Sequence, residues 1–407
     1  MYFQLVKERK MANTRFKHAT LAAISSVVAE HKISIEDELE YFSEDPAQAQ
    51  RFSAVSGLHT RRRAGDNVTA SDMCAQAAKT LLQHTNTNAN DIGAILFVSH
   101  SADYLLPASA AILQYKLGLP RTCVAMDMNA GCAGFVNALW MAASLVESGA
   151  CKKVLLLAGD TPGRFQPAAN RVVGPIFGDA GTAALIEHNE EPSIMSFSFG
   201  TDGSKHEALI IPGGGSRIPY VDSEEADSPF NQTISDGKGN PWTLGRYCSI
   251  WMDPMGIYTF STAVVPPHIK EHLVFDGLEA ESINRLFLHQ ANKIIVDSIA
   301  KRVGINKDRV PDESLRLYGN MGVSSIPVLI CAHYAKENSE FSATGHKNSM
   351  LCSFGAGLSW ASAILSLDKT IVLPVCDYIK EETESRAKRI EYWHSKFSGP
   401  KTNEDAP

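Results

Sequence analysis

Twice along this 407-residue chain an apolar run of strand length is joined to stretches with helical spacing, and that double alternation limits the fold more than any other feature. In the first cycle "SDMCAQAAKTLLQHT", with Ser71 placed to cap a helix, leads into "DIGAILFVSH" at 91–100. The apolar helix "GFVNALWMAASLVESG" then precedes "CKKVLLLAGD" at 151–160 and "GTAALIEH". In the second cycle "INRLFLHQ" reads as a strand, "ANKIIVDSIAKRVGI" and "SIPVLICAHYAKEN" as helices, and "NSMLCSF" and "LSWASAILSL" as two closing strands. Such alternation predicts an α/β layered fold, and two cycles of like order predict two similar halves, although no residue-level repeat links them.

Length and composition agree with two halves sharing large cores: 44% of residues are hydrophobic and 20% charged. The net charge of -7 argues against a general affinity for nucleic acid or anionic membrane. Eight cysteines without a CxxC pair predict reduced thiols in a cytoplasmic protein. No stretch is long and apolar enough to cross a bilayer, and "MYFQLVKERKMANTRF" is too charged for a signal peptide. The reading divides the chain into an N-terminal extension (1–18), whose first ten residues resemble a tag scar, and halves at 19–187 and 188–367. Residues 368–407 form a C-terminal extension with a helix in "DYIKEETESRAKRIEYWHSKF", and the Gly-, Pro- and Ser-rich residues 212–250 read as an irregular insertion.

Cys132 lies in "DMNAGCAGFVNALW", where an apolar run turns into a helix. The unpaired amides and positive dipole of a helix N-terminus favour a thiolate, whereas burial opposes it. A small buried hydrophobe is the commoner use of cysteine. Two other stretches change the balance. "FLHQAN" ends an apolar strand with His289, Gln290 and Asn292, and "LYGNMGVSSIP" sets Asn320 in a glycine-flanked loop before a helix. Each alone reads as a strand-end or turn residue. Together they supply a nucleophile, a base or donor, and an amide donor at element ends, where α/β folds place their sites.

The motifs "NAGCAGF", "FGDAGTAAL", "HQAN", "YGNMGVSSIP" and "SFGAGLSWAS", in this order and approximate spacing, resemble the β-ketoacyl-acyl-carrier-protein synthase III family of thiolase-fold condensing enzymes. The resemblance implies a five-layered αβαβα fold of two similar halves, a homodimer, and a catalytic triad of Cys132, His289 and Asn320. It implies an acyltransferase that loads an acyl group from a thioester onto Cys132 and condenses it, by decarboxylation, with a malonyl thioester. Expected partners are acyl-CoA and acyl carrier protein, with no metal or redox cofactor. In that chemistry the backbone N–H groups of Cys132 and Ala356 form the oxyanion hole, and His289 and Asn320 hold the enolate. The resemblance also places Phe354, Gly355 and Gly357 beside the nucleophile and Arg171 at the CoA adenine. Arg61, Arg62, Arg63, Lys293, Lys301 and Arg302 are expected to form a basic rim for CoA phosphates or the carrier protein.

Departures from the family pattern, Phe52 and Val55 before "HTRR", Lys293 and Ile294 after "HQAN", and "GNMGVSS" at the asparagine loop, mark a divergent member. Two other outcomes stay open at this point. One is acyl transfer from Cys132 to a hydroxyl or amine without decarboxylation; the other is a non-catalytic acyl-binding subunit. A papain-like hydrolase is disfavoured, because no "CGSCW"-type context surrounds the cysteine.

Overall fold

Strands with apolar residues at every position need cover on both faces, and the helices supply it from three levels. The computed structural model of the protein describes residues 12–165, 173–219, 233–235, 241–243, 249–334, 341–342, 345–380 and 385–397. In chain order the strands are β1 (Ala12–Phe16), β2 (Ala19–Val28), β3 (His31–Ser34), β4 (Thr60–Arg63), β5 (Ile92–Val98), β6 (Val124–Met128), β7 (Lys153–Asp160), β8 (Ala180–His188) and β9 (Met195–Thr201). They continue as β10 (Leu209–Ile210), β11 (Thr233–Ser235), β12 (Pro241–Thr243), β13 (Trp251–Met252), β14 (Arg285–Leu288), β15 (Phe341–Ser342), β16 (Ser349–Gly355), β17 (Ser359–Leu365) and β18 (Ile371–Asp377). The helices are α1 (Pro46–Ser56), α2 (Ala70–His84), α3 (Ser109–Lys116), α4 (Gly134–Glu147), α5 (Pro254–Ala263), α6 (Val265–Asp276), α7 (Lys293–Val303), α8 (Glu313–Tyr318), α9 (Ser325–Tyr334) and α10 (Arg386–Phe397).

Two mixed sheets form the frame, with strand orders β15-β18-β2-β8-β7-β5-β6 and β1-β9-β17-β16-β14. Both contain the same four-strand pattern of two antiparallel pairings followed by a parallel one. It is β2-β8-β7-β5 in the first sheet and β9-β17-β16-β14 in the second. This shared topology is the physical trace of the two halves. It also redraws their ends: β1, within the expected N-terminal extension, pairs with β9, and β18, within the expected C-terminal one, pairs with β2.

Alternation along each strand assigns the layers. Leu96 and Val98 of β5 face a central core with α4 and α9, which also holds Phe197, Phe287 and Leu351 of the second sheet. Ile95 and Phe97 face outward onto α2. On the far side Leu286, Leu288, Met350 and Phe354 pack on α5, α6 and α7. The result is helix, sheet, helix, sheet, helix. Burying Phe135, Leu139 and Val146 of α4 contributes about 1.5–3 kcal/mol each, which explains why a helix apolar on nearly every side is stable here. The helix stops at Ser148, and Gly149 takes the left-handed conformation (φ 74°) that commonly ends helices.

The cap of α2 differs from the expectation. Thr69 accepts from the Asp72 N–H and Asp72 reciprocates in a capping box, while Ser71 sits in the first turn and donates to Asp103 at 2.7 Å. In sequence either hydroxyl fits, and the two-residue difference is decided by Asp72. Within 212–250 the described residues include the short strands β11 and β12; residues 220–232, 236–240 and 244–248 lie outside them.

Candidate active site

Three chain segments reach the same end of the central layer. Cys132 follows β6 and stands two residues before α4; His289 follows β14; Asn320 lies in the loop between α8 and α9. These are the carboxyl ends of parallel strands and the starts of the two central helices, where an α/β fold leaves a crevice.

The nucleophile turn is held from two sides. Gly355, at the end of β16, lies so close that a Cβ added there would be 2.6 Å from Cys132 Cβ and 3.1 Å from Sγ. Gly134 is pressed by Val98 and Val323, which would meet an added Cβ at 2.6 and 3.1 Å. Gly357 has φ +138°, a conformation open to glycine, and this lets the "FGAG" turn fold back over the cysteine. The backbone N–H groups of Cys132 and Ala356 lie near the Cys132 sulfur and favour its charged form. Two main-chain donors beside one sulfur can also serve an oxygen on a carbon bonded to that sulfur, as an oxyanion hole requires.

Burial, with the nearby Asp160 charge, pushes the Cys132 thiol up to about 12, against the pull of those two N–H groups. Of the two opposing effects set out above, burial is the larger, and it keeps the proton on sulfur. His289 is 3% exposed, and burial pushes its imidazole down to about 3, so it is neutral and keeps one ring N–H as a donor. Its ring stands edge-on to Phe354 at 5.5 Å between centroids, and Phe354 adjoins Gly355. The His289 N–H donates to Cys352 O at 2.9 Å, which fixes the backbone at the strand end. Its Nδ1 is sealed from solvent without a partner.

Asn320 is 5% exposed and its main chain is locked by bonds to Ile176 and Gly178. Its side-chain oxygen accepts the Gly322 N–H at 3.1 Å. The carboxamide is thereby oriented, and the NH2 group remains as the donor.

The other expected positions divide. Phe354, Gly355, Ala356 and Gly357 gather at Cys132 as described above. Arg171 lies outside the described residues. The Arg61–Arg63 rim is corrected: Arg61 is fully buried, donates to Glu38 at 2.8 Å and contacts Phe177 O, so it is an internal ion pair rather than a surface for phosphate. Arg62 pairs with Asp377 at 2.9 Å over the Tyr318 ring, and Arg63 donates to Gly163 O at 2.7 Å. The cause is β4, whose short pairing with β3 turns these side chains into the junction between the halves. Lys293 pairs with Asp297, whereas Lys301 and Arg302 are exposed at the end of α7.

Sequence reasoning missed two buried carboxylates. Asp160 ends β7, and Asp179 accepts from the Ala64 and Gly163 N–H groups at 2.9 and 3.0 Å, with burial pushing its carboxyl up to about 6. A lone acid closing an apolar strand, as in "VLLLAGD", is the signal that was there to be read. Among the described residues no helix is long and apolar enough to cross a membrane, and no group of three His, Cys, Asp or Glu is placed to hold a metal.

The family model described as 3-oxoacyl-[acyl-carrier-protein (ACP)] synthase III matches residues 126–203, and the model of its C-terminal part matches 273–367. A Campylobacter jejuni protein provisionally named 3-oxoacyl-[acyl-carrier-protein] synthase 3 is 36% identical over 91% of this chain and 99% of its own. A β-ketoacyl-[acyl-carrier-protein] synthase III of Streptococcus agalactiae is 30% identical over 78% of this chain and 90% of its own. The crystal structure of a 3-oxoacyl-(acyl-carrier protein) synthase from Burkholderia xenovorans superposes with a TM-score of 0.79 at 30% identity, covering 90% of this chain and 99% of that one. Sequence, fold and the order of the motifs agree, and the chain belongs to the 3-oxoacyl-[acyl-carrier-protein] synthase III family.

Proposed function

We propose that the protein takes an acyl group from a thioester onto Cys132 and joins it to a malonyl thioester with loss of carbon dioxide. In the first step the Cys132 sulfur attacks the thioester carbon, its proton passes to the departing thiol, and the N–H groups of Cys132 and Ala356 hold the resulting oxyanion. The donor thiol leaves with a proton and the acyl group stays on sulfur. In the second step the malonyl C–C bond breaks, carbon dioxide departs, and the enolate oxygen is held by His289 and the Asn320 NH2 group. The carbanion then attacks the acyl carbonyl, the C–S bond to Cys132 breaks, and the β-ketoacyl thioester leaves while the sulfur takes a proton from water. The observation that carries this reading is the pair of main-chain donors converging on Cys132, at the same end of the central layer as a neutral imidazole and an oriented carboxamide.

Acyl-CoA and acyl carrier protein fit as substrates, with exposed Lys301 and Arg302 as the basic edge toward their phosphates. A homodimer is supported by β6, the end strand of its sheet, where Val124 and Met126 are 46% and 39% exposed. A reducing cytoplasmic setting accords with the seven free cysteines among the described residues.

Incubation with acyl-CoA and malonyl carrier protein, reading intact mass and released carbon dioxide, tests the function. Cys132→Ala abolishes the acyl adduct. His289→Ala and Asn320→Ala lower carbon dioxide release by roughly a hundredfold or more per lost donor, while an adduct still forms in both. An adduct that passes to a hydroxyl or amine without carbon dioxide would favour simple acyl transfer, and absence of any adduct would mark a non-catalytic subunit.

A further inference from the structure

The end of β7 carries a buried carboxylate that the two steps above do not use. Asp160 is 5% exposed. Its Oδ1 accepts from the His100 N–H at 2.7 Å and from the hydroxyls of Ser99 and Ser101 at 3.1 and 3.3 Å. Its Oδ2 accepts from the Val323 N–H at 3.2 Å, and a Cβ added to Gly322 would stand 2.7 Å from it. The end of β5, the end of β7 and the loop after Asn320 therefore meet on one residue.

Each of these arms goes on to the chemistry. The His100 ring lies directly on Gly131, the residue before Cys132. Gly322, beside Oδ2, donates its N–H to the Asn320 side chain. Val323 also presses on Gly134 at the start of α4. Asp160 is thus one contact removed from the nucleophile turn and one contact removed from the carboxamide.

We infer that Asp160 is a positioning residue that ties the Cys132 turn to the Asn320 loop, keeping the half that loads the acyl group in register with the half that decarboxylates. The inference rests on the roles proposed for Cys132 and Asn320. A carboxylate with four donors in a buried site is costly to replace by anything that accepts fewer. Its charge also reaches Cys132 and adds to burial in keeping the thiol protonated. The other ionisable groups around it are His100 and Cys74 of α2, whose thiol it pushes up as well, with Asp103 and Asp72 acting on Cys74 in the same sense.

Asp160→Asn removes the charge at nearly constant shape and turns one acceptor into a donor. Three readouts separate its effects: the pH dependence of Cys132 alkylation by iodoacetamide, acyl loading by intact mass, and carbon dioxide release from a malonyl thioester. The alkylation inflection moves to lower pH by about one unit, making alkylation at pH 8 roughly tenfold faster. Carbon dioxide release falls roughly tenfold or more, while loading changes by less than about threefold. An unmoved inflection, or equal losses in both steps, overturns the inference, because a purely structural carboxylate gives that result. Should Asp160→Asn fail to fold, Ser99→Ala combined with Ser101→Ala strips two donors and leaves the carboxylate charge less offset. The inflection then moves upward, and one that stays put is equally fatal. Alkylation needs no turnover, so a wild-type protein that never loads an acyl group would sink the proposed function without deciding this test.

Discussion

Gly355→Ala isolates the oxyanion pocket from every other element of the site. The glycine is not in the left-handed region, so alanine adopts its backbone without strain and the added methyl group is the whole perturbation. That methyl would lie 2.6 Å from Cys132 Cβ, whereas carbon atoms rest at about 3.5 Å, so roughly 0.9 Å must be found. Cys132 cannot retreat, because Val98 and Val323 block Gly134 behind it. The strand cannot slip either, because Gly355 is in register with Ser359 of β17. The 355–356 peptide yields instead and carries the Ala356 N–H away from the sulfur. Loss of one oxyanion donor costs about 2.7–4 kcal/mol of transition-state stabilisation, so acyl loading slows roughly a hundredfold or more. Overpacking destabilises the fold by about 1–3 kcal/mol, small enough for the variant to be purified. Rapid-quench intact mass with acyl-CoA gives the loading rate, and thermal melting gives the cost to the fold. A folded variant that loads within about threefold of wild type would refute the assignment of Ala356 as a donor.

Arg61→Ala leaves the largely buried Glu38 carboxylate without its partner, so urea unfolding should show a loss of about 3 kcal/mol while the KM for acyl-CoA is unchanged; a raised KM with normal stability would restore the rim. Gly178→Ala drives a methyl group into Tyr318 O and displaces the main chain that holds Asn320, so carbon dioxide release falls at least roughly tenfold with acyl loading less affected. Burial lowers both His268, to about 3, and His272, which bonds Ser196 and Ser362. The unfolded chain therefore binds protons below pH 6.5 that the folded one refuses. Their contribution to stability is complete above that pH and is lost as pH falls through 6 toward 4, at up to about 1.4 kcal/mol per pH unit for each histidine. Urea midpoints measured from pH 7 to 4 should drop accordingly, and His268→Gln with His272→Gln should flatten the slope.

Period and length made the core strands legible. "DIGAILFV" and "KVLLLAG" are short aliphatic runs buried on both faces, the pattern of central strands. The candidate site was legible because Cys132, His289 and Asn320 sit at element ends, the first and last beside a glycine. What stayed hidden depends on contacts between distant segments. Arg61 reads as surface charge until β3 and β4 fold it against Glu38. The state of Cys132 follows from how much protein surrounds it, which no local spacing encodes. β1 and β18 looked like extensions because each completes a sheet begun more than 170 residues away in sequence, β1 against β9 and β18 against β2.

β6 ends at Met128, four residues before Cys132, and among the described residues no strand pairs with its outer edge. Whatever molecule docks along that edge pulls on the same short tether that aims the cysteine. Association and turnover are then mechanically linked, and a change made only to keep two chains apart would look, in a bench assay, like damage to the chemistry.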